Sequence, residues 1–296
     1  MTLFGGIEAG GTKFICAIGS GPSELQDEIR FETASPRETI RTVISYFEEQ
    51  HSKHSLAAIG IGSFGPLDLN PESLTSGYIL NTPKRSWQKV DLPGQIRKSL
   101  NIPVAFDTDV NAAALGEYEW GAARGLTDFI YLTVGTGIGG GGMINGNLMH
   151  GLLHPEMGHI LIPHDREKDP YPGHCPYHGD CFEGLAGGPA LRDRWGTAAE
   201  NLGADHPAWD LEAEYLSLAL VNYICSISPR KIIIGGGIMK QPELLPRVRS
   251  KVKEKLNGYL ESDEIMKKIE EFIVPPGLGD HAGIVGAICL AKRALE

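Results

Sequence analysis

The stretch Ile130–Ile144, IYLTVGTGIGGGGMI, decides the fold once it is set beside Gly5–Gly19, GGIEAGGTKFICAIG. Each is an apolar run, a glycine-threonine turn and a second apolar run, which predicts two strands joined by a tight turn. A plan that occurs twice, some 125 residues apart, is a weak internal repeat and predicts two related lobes with a phosphate loop in each. Working outward, Ala57–Ile61 and Pro103–Phe106 read as further strands, and 38–50 and 95–100 have helical character. A helix-like run from Val110 leads to strands at Phe129–Val134 and Gly141–Ile144. Helices at Leu211–Ile227 and Glu243–Tyr259 flank a buried strand at Lys231–Ile234, and AGIVGAICLAKRAL closes the chain as a helix. The expected organisation is an α/β lobe at 1–109, closed by a helix at 281–296, and a second α/β lobe at 110–280.

At 296 residues the chain is long enough for two such lobes. No apolar run approaches the roughly 18 residues of a membrane span, and the amino terminus has no basic patch followed by an apolar stretch, so a cytoplasmic protein is expected. The net charge of −10 argues against nucleic acid or an anionic membrane as partner, since both need a positive surface, and favours a small-molecule ligand. Glycine, at 38 residues, is in excess and clusters after apolar runs, where it reads as turns leaving strands.

Three glycine clusters are candidate phosphate sites. In EAGGTK, the turn Gly10, Gly11, Thr12 and Lys13 offers backbone N–H groups and a hydroxyl, and Glu8 could hold Mg²⁺ through water; taken alone, it is an ordinary hairpin turn. The second loop, Gly135–Gly142, spends six glycines and Thr136 after a buried strand, a stronger signal that points to Thr136, Gly137 and Gly139. The third, with Gly236 and Gly237 between a strand and a helix, lacks the spacing of a dinucleotide fingerprint. Between the first two loops lies AFDTDVNAAALGE. Asp109, at a strand's carboxyl end, is positioned for a general base toward a hydroxyl, and Asn111 opens the next helix; helix capping explains Asp109 equally well until its place between two phosphate loops is counted.

The segment from His154 to Leu191 is the most specific. Cys175, His178 and Cys181 are spaced C-x2-H-x2-C, and His159 upstream can complete a tetrahedral Cys2His2 set for a structural zinc, with His154, His164 and His174 as spare candidates. Glu156 and Glu183 flank the cluster, and paired carboxylates suit sugar hydroxyls.

These motifs, in this order, resemble the ROK family (repressor, open reading frame, kinase), and within it the bacterial zinc-containing fructokinases. The resemblance runs through GIEAGGTK, GIGSFGPLD, DTDVNAAALGE, LTVGTGIGGG, HPEMGH, CFEGLAGGPAL and IIIGGGIM. It implies an actin-like ATPase (ribonuclease H-like) fold, two lobes with a cleft between them closing over MgATP and a hexose, and a homodimer. It further implies Asp109 as the base, Asn111, Glu156, His159 and Glu183 at or near the sugar, and His159, Cys175, His178 and Cys181 as zinc ligands, with the other nitrogen of His159 free to point toward the sugar. Two positions depart from the family pattern: Glu8 stands for an aspartate, and Thr108 for an asparagine that often contacts sugar. Both departures point to the fructokinase branch, hence to fructose as the expected hexose, with glucokinase, a broader mannose and fructose kinase, or a non-catalytic sugar-binding regulator as alternatives. The family's repressors carry an amino-terminal DNA-binding domain, for which the early phosphate loop leaves no room.

Overall fold

The computed structural model describes residues 2–295. Among the described residues twelve strands occur in chain order: β1 (Phe4–Ala9), β2 (Lys13–Gly19), β3 (Leu25–Glu32), β4 (Ile59–Ser63), β5 (Tyr78–Ile79), β6 (Val90–Asp91), β7 (Val104–Thr108), β8 (Phe129–Val134), β9 (Ile138–Ile144), β10 (Asn147–Leu148), β11 (Ile232–Gly235) and β12 (Ile273–Val274). The helices are α1 (Pro36–His54), α2 (Leu92–Leu100), α3 (Asp109–Trp120), α4 (Phe182–Ala186), α5 (Gly188–Trp195), α6 (Ala208–Ile227), α7 (Leu244–Leu256), α8 (Asp263–Met266), α9 (Ile269–Phe272) and α10 (Ala282–Arg293).

Two compact units divide the chain. The first takes residues up to Gly125, Gly141–Pro155 and everything from Gly277 onward. Its sheet has the order β3-β2-β1-β4-β7, with β1 antiparallel to β2 and parallel to β4. Strand β3, LQDEIRFE, escaped the sequence reading because it is an edge strand with charged residues on its open side, so no apolar run marks it. One face of the sheet packs on α1 and α2 through Ile7, Phe14, Val43, Phe47, Ile61 and Ile96. The other is covered by α10, whose approach is close. A Cβ on Gly60 of β4 would lie 1.9 Å from the Ala287 carbonyl oxygen, and one on Gly286 would lie 1.8 Å from that of Ala112 in α3. Helix and sheet meet here backbone to backbone, which only glycine permits.

The second unit comprises Leu126–Gly140 and Glu156–Pro276. The second sheet has the order β10-β9-β8-β11-β12, repeating the 3-2-1-4-5 plan of the first. Parallel β8, β11 and β12 lie at its centre and edge, and α6 packs on α7 beside them. The expected boundary at 109/110 is corrected: all residues of α3 from Val110 to Glu117 are buried, and the helix packs on α10, so it stays in the first unit and the crossing falls after Gly125. The segment 141–155 likewise belongs to the first unit, as does α10.

Candidate active site and metal centre

In the first unit, the turn Gly10–Thr12 joins β1 to β2 and is closed by the Gly10 N–H donating to the Lys13 carbonyl at 2.9 Å. Gly11, Thr12 and Lys13 are exposed. Glu8, near the end of β1, keeps Oε2 buried without a hydrogen-bond partner among the described residues, and burial raises its pKa against the opposing charges of Lys13 and Arg30.

Strand β7 ends in Asp107 and Thr108, and α3 starts at Asp109. The helix is capped by Thr108, whose hydroxyl accepts from the Asn111 N–H at 3.1 Å, so Asp109 is not the capping residue. Thr108 is therefore spent on the backbone. Asp109 is partly exposed at the first helical position, and one of its oxygens accepts from the Val110 N–H at 2.9 Å.

Asn111 does not reach solvent, which corrects its reading as a sugar contact. It is fully buried, its amide donates to Asp107 Oδ1 at 2.9 Å and to the Met149 carbonyl at 3.3 Å, and its oxygen accepts from the Gly142 N–H at 3.2 Å. A Cβ on Gly141 would strike that oxygen at 2.3 Å. The other oxygen of buried Asp107 accepts from His150 Nε2 at 2.8 Å, and this bond raises the His150 pKa. His150 is half-exposed, and sequence reasoning missed it because nothing local pairs a histidine with a carboxylate 43 residues away. His154 is engaged elsewhere: its Nε2 accepts from the Leu67 N–H at 2.9 Å.

In the second unit, β8 turns into β9 through Gly135–Gly137, with the Gly135 N–H donating to the Gly137 carbonyl. Glu183, in the first turn of α4, accepts from the Ile138 N–H at 2.8 Å and would collide with a Cβ on Gly137. Gly139–Gly142 lie inside β9, so Gly139 is a strand residue rather than part of the turn. A Cβ on Gly140 would lie 2.6 Å from Leu132 and Met157, which gives this glycine a packing reason. Gly236 has φ +98 and would meet the Val134 backbone at 2.3 Å, which explains why the strand β11 must exit through glycine. Next to it, a cavity of about 610 Å³ is lined by Thr136, Arg192, Trp209, Gly237, Lys240 and Gln241 among others. Arg192, Trp209 and Lys240 had no motif to announce them. Their convergence is tertiary.

The zinc-type spacing folds into a compact cluster. One nitrogen or sulfur from each of His159, Cys175, His178 and Cys181 lies within 4.8 Å of the others. His159 Nδ1 is 3.5 Å from Cys181 Sγ and 3.7 Å from Cys175 Sγ, and Cys175 Sγ is 3.6 Å from His178 Nδ1. A tetrahedral ion with metal–sulfur bonds of about 2.3 Å and metal–nitrogen bonds of about 2.05 Å requires nitrogen–sulfur edges of about 3.6 Å. The donor set fits. The Cys175–Gly179 backbone pair closes the loop, and burial pushes the Cys181 thiol up to about 12, so a bound cation would have to draw off its proton. The spare histidines are otherwise occupied: His164 on Asp180 and the Asp169 carbonyl, His174 on Asp193.

His159 Nε2 faces away from the sulfurs and lies 3.9 Å from Glu183. Glu156, just before the His159 turn, is crowded by surrounding protein and by the Glu183 charge, which together push it up to about 7 although its side chain still opens to solvent. Glu183 and His159 are thus in one place with Glu156. Asp109 belongs to the other unit.

Among the described residues no helix is long and apolar enough to cross a membrane. A family model described as the ROK family matches residues 4–294. A Bacillus subtilis relative is 49% identical over 294 residues, covering 99% of this chain and 97% of that one. The fructokinase of Pediococcus pentosaceus is 42% identical over 99% of both chains. Among solved structures, a ROK hexokinase from Thermus thermophilus superposes with a TM-score of 0.78 at 25% identity, covering 99% of each chain. A ROK family glucokinase from Streptomyces griseus in complex with glucose and AMPPNP gives 0.77 at 26% identity, with 98% of this chain and 99% of that one covered.

Proposed function

Because this chain belongs to the ROK family, we propose that it phosphorylates D-fructose, taking the γ-phosphoryl group of ATP to give fructose 6-phosphate and ADP. It is an ATP-dependent sugar kinase with the actin-like ATPase fold. The observation that carries the fructose assignment is a gap in relatedness: five relatives at 39–49% identity include four fructokinases, whereas the glucokinases stand at 26–28%.

The chemistry follows from the groups described. Phosphoryl transfer is mostly positioning and charge neutralisation, and Mg²⁺ arriving with the nucleotide supplies charge neutralisation at the phosphates. In this reading the turn Gly10–Lys13 holds phosphate oxygens by its N–H groups, and Thr136, Gly137, Gly236 and Gly237 do so at the cavity in the second unit. That cavity supplies cations at Arg192 and Lys240 for anionic groups. Asp109, partly exposed at the start of a helix that Thr108 caps, accepts the proton of the attacking hydroxyl. Glu156, Glu183 and the outward nitrogen of His159 bind sugar hydroxyls. Zinc at His159, Cys175, His178 and Cys181 is structural, since four protein ligands leave no open position. A cytoplasmic homodimer completes the reading.

The test is kcat/KM for fructose, glucose, mannose and N-acetylated hexosamines under one set of conditions, with Asp109→Asn alongside. A site built to hydrogen-bond particular hydroxyls rejects the wrong hexose steeply, because buried polar groups are then left unpaired. Fructose should lead the panel, and Asp109→Asn should lose about 10²-fold or more in turnover while retaining ATP binding. Glucose or an amino sugar outperforming fructose refutes the assignment, and near-normal turnover in the variant refutes the base.

A further inference from the structure

The turn between β1 and β2 is unusual in what happens to its carbonyls. All four from Gly10 to Lys13 are occupied. The Thr33 hydroxyl donates to the Gly10 carbonyl at 2.7 Å, and the Lys84 ammonium donates to that of Gly11 at 2.7 Å. The Thr12 carbonyl accepts from the Thr33 N–H at 2.9 Å, and that of Lys13 from the Gly10 N–H at 2.9 Å. The N–H groups of Gly11 and Thr12, by contrast, have no protein partner among the described residues, and nothing lies within 4 Å of a Cβ built on Gly11. The turn therefore keeps its negative ends turned inward and its donors open, the arrangement that attracts an anion.

Lys84 is fixed rather than loose. Its ammonium also donates to the Thr33 carbonyl at 3.1 Å. Three residues on, Trp87 is fully buried, with ring centroids 5.4 Å from a tilted Phe14 and 5.6 Å from an edge-on Phe64, and its indole N–H donates to the Ala34 carbonyl at 3.1 Å. The Trp87 anchor thus holds both the 82–87 segment and the 33–34 segment against the turn. The result is a positive charge one peptide away from the open donors, reached by a residue 73 positions along the chain.

We infer that Thr33 and Lys84 are positioning residues for phosphoryl transfer: they cap the carbonyls of the Gly10–Lys13 turn, hold its N–H groups toward the nucleotide phosphates and place an ammonium beside them. The inference rests on the sugar-kinase reading for the identity of the anion. Lys84 acts through the turn and through its charge, so its loss bears on the phosphates and not on the sugar.

The experiment uses the full chain with K84M, K84R and T33V, measuring steady-state kinetics with MgATP and fructose, calorimetric binding of MgADP without sugar, and Tm. Hydrogen bonds involving a charged group support a loss of about tenfold or more in kcat/KM for MgATP, and in MgADP affinity, for K84M. K84R, which keeps charge and donors, should recover most of it, and T33V should show a smaller loss in the same parameters. The KM for fructose and the Tm should stay near wild type. An active K84M enzyme with unchanged kcat/KM for MgATP and unchanged MgADP affinity overturns the inference. Equal losses toward MgATP and fructose accompanied by a fall in Tm also overturn it, since they describe a merely structural lysine. Wild-type protein that binds MgADP but phosphorylates no hexose refutes the kinase reading alone, and the K84M affinity for MgADP then still decides the role of Lys84.

Discussion

Replacing Glu117 by glutamine or alanine removes a buried carboxylate that serves three backbone donors in the first unit. Glu117 sits in α3 with no exposed surface. Its Oε2 accepts from the Ala122 N–H at 2.6 Å and the Gly277 N–H at 3.0 Å, and its Oε1 accepts from the Leu278 N–H at 2.9 Å. The residue therefore ties the end of α3 to the segment leading into α10. Hydrogen bonds to a charged acceptor contribute about 1.5–3 kcal/mol each, and a buried donor left without a partner costs about 1–3 kcal/mol. Glutamine preserves one oxygen but turns an NH2 toward a peptide N–H, so one bond becomes a donor-donor clash and about 3 kcal/mol is lost. Alanine strands all three donors and opens a cavity, for about 4 kcal/mol or more. At about 2–4 °C per kcal/mol for a chain of this size, glutamine should lower Tm by about 6–12 °C. Thermal unfolding followed by far-UV circular dichroism at neutral pH, at one scan rate for all variants, measures it. A Tm for E117Q within a degree of wild type would refute the reasoning, because it would mean the three N–H groups find water or each other without cost.

Two further predictions concern ionisable groups. Protein purified without chelator should carry one zinc per chain, and Cys181→Ser should lose the metal together with several degrees of Tm, since a structural site contributes to folding directly; metal analysis finding no zinc in wild type refutes it. The His150 pKa is raised in the folded state by its bond to Asp107, so that bond's contribution is fully present below the unfolded value of about 6.5 and is lost as pH rises through the folded value. The Tm difference between wild type and His150→Gln should thus be largest near about pH 6 and shrink by about pH 9, remaining small because the side chain is half-exposed; a difference that grew with pH would reverse the sign and refute it.

What the sequence disclosed depended on how local the signal was. The C-x2-H-x2-C spacing needed only a short loop to bring Cys175, His178 and Cys181 together, and His159 joined them as proposed. The paired hairpins were legible because apolar runs flank a turn, and the two sheets repeat one strand order. Glycine was harder to interpret. Gly140 was read as part of a loop, yet it lies inside β9, where Leu132 and Met157 occupy the space of a Cβ. Asn111 looked available at a helix start and is instead consumed by Asp107 and Gly142, partners that only the folded chain supplies. His150, Lys84, Arg192 and Trp209 carried no motif at all. A residue recruited from tens of positions away leaves no pattern in the segment it serves.

The backbone contact of α10 with β4 and α3 has a consequence during synthesis. Residues 282–293 supply the apolar cover for a sheet whose first strand begins at Phe4. A ribosome releasing the chain from its amino terminus therefore leaves one face of that sheet exposed while the residues between β7 and α10 are made, with Ile15, Ala17 and Ala58 bare until Ile284, Val285 and Ile288 emerge. At about 5–20 residues per second the wait lasts on the order of ten seconds or more. The last helix thus sets the moment at which the nascent first unit stops being a substrate for chaperones and aggregation, and a stop codon ahead of Ala282 would leave that moment out altogether.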